Sequence, residues 1–242
     1  MSKLTGDKKI IVVLPAYNAA KTLKKTLDDL PMEWVDDIIL VDDASDDGTA
    51  ELAKILGLKT FVHRKNGGYG ANQKTCYTKA LGYGADIVIM VHPDHQYDPK
   101  LIPELIQKFS DGKTDAVFGS RMMTPKNAII GGMPYWKFAA NIFLTAIENT
   151  VLGLNLTEYH SGFRAYSRKT LKLVPFMKNS NNFVFDTEII VQMKKAGLKI
   201  KEIPIPTKYF PEASVIGFLR SSTYGISILA TMIKYLFWRV KK

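Results

Sequence analysis

Within the first 120 residues, short apolar runs alternate with segments of helical spacing, and this alternation constrains the fold more than any other feature of the chain. Ile10–Leu14, Ile38–Val41, Thr60–His63, Ile87–Val91 and Ala116–Gly119 read as strands. Leu23, Leu27 and Leu30 mark a helix over 19–30, and further helices are predicted over 49–56, 71–84 and 99–109. Strands that are apolar at nearly every position are covered on both faces, and strands joined through helices run parallel. The expected fold class is α/β, a mostly parallel central sheet flanked by helices. Ligands bind such sheets beyond the carboxyl ends of the strands. The residues just after each strand are therefore the candidates for chemistry.

Those positions are polar. Pro15-Ala16-Tyr17-Asn18 follows the first strand, Asp42-Asp43 to Thr49 the second, His92 to Asp98 the fourth, and Ser120-Arg121 the fifth. Asp94 and Gln96 are two apart, so an extended segment points them the same way. One carboxylate and one amide oxygen suit a hard divalent ion held mainly by substrate phosphates and water. Asp98 reads as the cap of the next helix, with Pro99 in its first turn. His92 and His95 have no second His/Cys cluster to complete a zinc site. Asp42 and Asp43 leave a buried strand side by side, and adjacent carboxylates repel unless donors surround them. Ribose hydroxyls and a base N–H are such donors. PAYN is not the glycine-rich turn of a dinucleotide fold, and no Walker-type lysine motif exists. Asn66-Gly67-Gly68-Tyr69-Gly70 follows a short polar strand and reads as a loop near the nucleotide. Beyond residue 121 the pattern is less regular: a long Pro/Gly-rich loop over 122–135, helices over 136–152 and 185–196, HSGFRAY entering a short strand, and a strand over 199–205.

Taken in order, PAYN, VDDASDDGT, DHQYDP, GSR and SGFR resemble glycosyltransferase family 2 over roughly residues 8–210, and within it the polyprenyl-phosphate sugar transferases. The resemblance implies a GT-A fold in one domain over 1–212. Its nucleotide-binding half covers about 8–121 and its acceptor half about 122–212, with amphipathic helices over 213–242. It implies inverting, metal-dependent transfer from a UDP- or GDP-sugar to a polyprenyl (dolichyl-type) phosphate. Pro15, Tyr17, Asn18, Val41, Asp42, Asp43, His92, Pro93 and Asp94 would line the nucleotide site. Asp94 and Gln96 would hold Mg²⁺ or Mn²⁺. Arg121 would contact phosphate, and Ser161 and Arg164 would face the acceptor phosphate with it. Glu188 stands where the family often places an acidic residue, so the implied catalytic set is Asp94, Arg121 and Glu188. A hydroxyl acceptor would need a base, for which Glu188 or Asp186 are candidates. Three positions depart from the family: His92 replaces a usual aspartate, Ala19 a usual acidic residue, and 208–214 offers Lys208 alone. Transfer to a saccharide hydroxyl, or a catalytically silent nucleotide-sugar or lipid-binding module, are the alternatives.

Lys and Arg total 33 against 23 Asp and Glu, a net charge of +10. That excess calls for a polyanion. No basic stripe with interleaved aromatics points to nucleic acid, so a diphosphate donor, a lipid phosphate and an anionic membrane surface are the expected partners. The single cysteine, Cys76, forms no intrachain disulfide and favours a reducing compartment. No signal-peptide pattern opens the chain, and no run reaches the roughly 20 apolar residues of a spanning helix. A peripheral protein on the cytoplasmic membrane face is expected. Ile226, Leu229, Ile233, Leu236 and Phe237 recur at helical spacing before Trp238, Arg239, Lys241 and Lys242. Such a helix packs on the core or lies in the membrane interface.

Overall fold

The computed structural model describes residues 8–206 and 217–240. Seven strands form one sheet: β1 (Ile10–Ala16), β2 (Asp37–Asp42), β3 (Lys59–Val62), β4 (Ile87–Met90), β5 (Ala116–Ser120), β6 (Arg164–Ser167) and β7 (Ile200–Pro204). Their order is β3-β2-β1-β4-β6-β5-β7. Neighbours pair in parallel except at β6, which runs antiparallel to both β4 and β5. The mostly parallel α/β sheet is borne out, with one reversed strand that the four-residue run RAYS does not announce.

The flanking helices are α1 (Ala20–Asp28), α2 (Thr49–Ile55), α3 (Tyr69–Gly82), α4 (Ile102–Gln107), α5 (Pro125–Ile130), α6 (Tyr135–Leu152), α7 (Arg168–Leu173), α8 (Phe185–Lys195) and α9 (Phe218–Val240). Successive strand side chains point to opposite faces, so β1 feeds two cores. Ile11 and Val13 join the core that includes Ile189 of α8 and Ile228 of α9. Ile10, Val12 and Leu14 join Leu23 of α1 and Leu105 of α4 on the other face. Burial on both sides explains why this strand is apolar at every position. Asp98 caps as its spacing predicts, its carboxylate accepting from Lys100 N–H at 3.0 Å beside Pro99.

Two segments differ from expectation. Residues 122–135 are not all loop: Pro125 starts α5, and Met122, Ala128 and Met133 bury a small cluster of their own against Phe138. In α9 the apolar stripe read from the spacing is largely the outer face. Ile228, Met232 and Tyr235 are buried, whereas Ile226, Ile233, Leu236 and Phe237 are exposed, Phe237 by 71%. Lys208 and the rest of 208–214, the side chains of Trp238 and Arg239, and Lys241 and Lys242 lie outside the described residues.

Candidate active site

β1 has β2 on one side and β4 on the other, the reversal of strand order at which crevices open in such sheets. β6 is reversed, so it begins where its neighbours end: Arg164 is the register partner of both Met90 and Phe118. The loops after β1, β2, β4 and β5 and the loop before β6 thus meet at one edge. A cavity of about 910 Å³ opens there. Three of these loops hold a non-glycine residue in the left-handed region, Asn18 (φ 51°), Ala44 (φ 61°) and His95 (φ 55°). Such conformations persist only where surrounding contacts enforce them, and they gather at functional sites.

Pro15, Tyr17, Asn18, Asp43, Pro93 and Asp94 line one end of the cavity, with Gln96 beside them. Val41 and Asp42 do not: both are fully buried behind it. Asp42 accepts from the Ser45 N–H at 3.0 Å and its hydroxyl at 2.5 Å. The Val41 carbonyl accepts from the Asn72 amide. Asp43 accepts from Gly67 and Gly68 N–H, both at 2.9 Å, and its Oδ1 lies 2.6 Å from His63 Nδ1. The donors around these adjacent carboxylates therefore come from the protein itself. NGGYG packs close against 180–181, because a Cβ on Gly70 would collide with the Ser180 carbonyl oxygen.

Asp94 and Gln96 both face the cavity, and Asp94 Oδ1 accepts the Gln96 N–H at 3.0 Å. Among the described residues no group of three His, Cys, Asp or Glu could hold a metal. Two oxygen donors fit a Mg²⁺ or Mn²⁺ ion carried on a diphosphate, with phosphate and water filling the shell, rather than an all-protein cage. His92, in place of the family's aspartate, stacks on Tyr69 with ring centroids 5.5 Å apart. Burial lowers its proton affinity and favours the neutral imidazole. A Cβ on Gly162 would lie 2.6 Å from His92 Nε2, so the glycine of SGFR makes room for this ring.

The remaining site residues separate into those at the cavity and those behind it. Arg121 lines it; its Nε donates to Glu158 Oε1 at 2.8 Å and its Nη2 to the His160 carbonyl at 3.2 Å. Lys137, from α6, lines the same wall, and burial followed by the Arg121 charge lowers its pKa. Arg164 is 1% exposed. Its guanidinium donates to the Tyr159 carbonyl at 2.6 Å and the Ser161 carbonyl at 2.7 Å, and lies 3.8 Å from Asp186. Ser161 is likewise buried, its hydroxyl accepting from Phe163 N–H. Ser161 and Arg164, expected at the acceptor phosphate, are thus buried in the loop that enters β6 and do not line the cavity. Glu188 accepts from Ser180 N–H at 2.6 Å and does not line the cavity either. The carboxylate that α8 presents to it is Asp186, which accepts from the Tyr69 hydroxyl at 2.8 Å and the Gln73 amide at 3.2 Å. Tyr69, Lys137, His160 and Tyr224 were not among the predicted site residues. Tyr69 at the start of the helix after Gly67-Gly68, and His160 directly before SGFR, were the available signals.

Comparison with known proteins places these features. The family model described as glycosyl transferase family 2 matches residues 11–174. An uncharacterised protein of Methanocaldococcus jannaschii is 36% identical over 200 residues, covering 83% of this chain and 82% of its own. UDP-N-acetylglucosamine–dolichyl-phosphate N-acetylglucosaminyltransferase of Methanococcus voltae is 31% identical, over 84% and 87%. Undecaprenyl-phosphate mannosyltransferase of Micrococcus luteus is 27% identical, over 81% and 82%. The fold matches glucosyl-3-phosphoglycerate synthase of Mycobacterium tuberculosis with Mn²⁺, UDP-glucose and glycerol 3-phosphate at a TM-score of 0.72 and 19% identity, covering 97% of this chain and 82% of that one. That likeness shows the GT-A fold. With the family model spanning the sheet from β1 through β6, the chain belongs to glycosyltransferase family 2.

Proposed function

We propose that the protein transfers a sugar, with inversion, from a nucleoside-diphosphate sugar to the phosphate of a polyprenyl lipid at a membrane surface. One observation carries this reading. A single cavity runs from the strand-end residues Asp43 and Asp94 to a wall built by α6 and α9, with Trp136, Leu144 and Tyr224 on it. The outer faces of the same two helices expose Ile142, Phe143, Ile226, Ile233 and Phe237. A polar donor end and an end bordered by outward apolar helix faces suit a water-soluble donor and a lipid acceptor. The names of the Methanococcus and Micrococcus relatives support the same acceptor class.

The acceptor phosphate oxygen attacks the anomeric carbon, and the bond from that carbon to the donor diphosphate breaks. The phosphate is already anionic, so no proton has to be removed. Negative charge grows on the leaving diphosphate; a divalent ion, when bound, supplies Lewis-acid neutralisation of that charge. Asp94 and Gln96 orient the diphosphate end. Neutral His92 provides a hydrogen-bonding group without adding charge. Asp186, fixed by Tyr69 and Gln73, accepts from sugar hydroxyls. Arg121 and Lys137 attract phosphate from the opposite wall.

The test is a panel of UDP- and GDP-sugars, with Mn²⁺, offered to a short polyprenyl monophosphate, to the matching alcohol and to oligosaccharides. Product from the monophosphate alone is expected. Transfer only to saccharides would move the role of Asp186 to general base and overturn the lipid reading. Absence of any transfer would favour a silent binding module.

A further inference from the structure

The acceptor end holds a buried ion pair that the reaction as described leaves unused. His160 lines the cavity, and its Nε2 lies 2.9 Å from Oε2 of Glu148, with side chains 8% and 0% exposed. The contact is within ion-pair reach but off the line of a hydrogen bond, and neither atom has another hydrogen-bond partner. Glu148 Oε1 accepts from the Thr187 hydroxyl at 3.2 Å. A buried carboxylate with one weak neutral donor needs a cation. Among the described residues, the group able to supply one within ion-pair reach of Glu148 is His160.

The arrangement repeats that of Arg121. Arg121 and His160 both line the cavity, while their carboxylates, Glu158 and Glu148, lie behind them. The two sites are joined, since Arg121 Nη2 donates to the His160 carbonyl. Each pair sets its basic side chain toward the cavity and its carboxylate behind it, and basic groups so oriented attract an anion. The rings facing it are Tyr224 of α9, edge-on at 5.9 Å, and chain neighbour Tyr159 at 6.4 Å; Lys137 and Asp186, with Tyr69, His92, Asp94 and Asp43, share its cavity. Burial, with the Asp186 and Glu148 charges, raises the Tyr224 pKa and keeps its phenol neutral. Burial and Glu148 act the same way on Tyr159.

We infer that His160, braced from behind by Glu148, is a specificity-determining residue for the acceptor phosphate. This rests on the polyprenyl-phosphate reading above.

The test uses a short polyprenyl monophosphate in detergent micelles, with the matching alcohol as control and UDP binding as a check on the fold. His160→Gln should bind the monophosphate about tenfold more weakly than wild type, the scale of one charge-assisted hydrogen bond, and leave affinity for the alcohol and for UDP unchanged. His160→Lys should regain affinity for the monophosphate. Glu148→Gln should weaken monophosphate binding in the same direction as His160→Gln. The chain has 4 histidines, so the His160 ring resonances are assignable, and the monophosphate, but not the alcohol, should shift them. This readout needs no variant to fold. Unmoved His160 resonances, or a His160→Gln protein that binds the monophosphate as tightly as wild type, overturn the inference while leaving the lipid-phosphate reading intact. A wild-type protein that binds the alcohol as well as the monophosphate overturns both.

Discussion

Several carboxylates and cations near the cavity look alike in the sequence and do different work. Asp94 sits on its wall, and Asp94→Asn should lower sugar transfer by about a hundredfold or more and remove the divalent-ion dependence of nucleotide binding. Unchanged transfer in that variant would place the diphosphate elsewhere. Asp186 and Glu188 are two apart on α8, yet only Asp186 reaches the cavity. Asp186→Asn is expected to cripple turnover, and Glu188→Gln to leave it within about twofold, as a surface-distant hydrogen-bond change; steady-state kinetics on both separates them. Arg164 is buried against two carbonyls and Asp186, so Arg164→Lys should cost about 3–5 kcal/mol of stability, read by denaturant unfolding, rather than weaken acceptor binding selectively. The strand-end residues were legible because strand periodicity places them at one edge. The division between lining and supporting residues was not, because it depends on which rotamer each side chain takes under tertiary packing. Asp42 and Asp43 show the limit: the sequence reveals two carboxylates in need of donors, but not that Ser45, Gly67 and Gly68 already supply them.

At the level of elements, the parallel strands and their helices follow from the apolar alternation, and the predicted bounds lie within a few residues of those observed. β6 did not, since four residues carry too little pattern to show direction. Its reversal is nevertheless what carries the HSG loop to the cavity. Gly162 in that loop is tight against His92, and Gly162→Ala should force the ring aside at a cost of about 1–3 kcal/mol, with a loss of transfer larger than the loss of stability. Comparing melting and turnover of that variant checks the point. The β5 end is anchored by Arg121 and Glu158. Burial alone would raise the Glu158 pKa, but the charge and hydrogen bonds of Arg121 outweigh it and hold the carboxyl below the usual glutamate range. A depressed carboxyl contributes stability above its unfolded pKa and loses it as pH falls through the folded value. The anchor should therefore be intact across neutral pH and fail only below about pH 4. A Glu158→Gln protein should lack that part of the acid-unfolding limb.

For the whole molecule, the net charge of +10 and the apolar outer faces of α6 and α9 belong to one proposal, docking on an anionic bilayer. No helix among the described residues is long and apolar enough to cross a membrane. Replacing Ile226, Ile233 and Phe237 together with serine should leave the melting temperature nearly unchanged, because all three are exposed, and reduce binding to vesicles of anionic lipid by about tenfold or more. Equal binding to neutral and anionic vesicles would leave the charge without a partner. The reversed strand has a further consequence, for synthesis. β6 is clamped to the centre of the sheet through Arg168 and Asp86, 82 residues apart in the chain. A nascent polypeptide that has emerged only as far as β5 leaves β4 with an open edge, and contacts of such long range make assembly slow. The first 120 residues, although they hold five of the seven strands, should not mature ahead of the rest. A fragment cut at Arg121 should not close its own sheet, because the strand that covers the β4 edge arrives only with the residues beyond the cut.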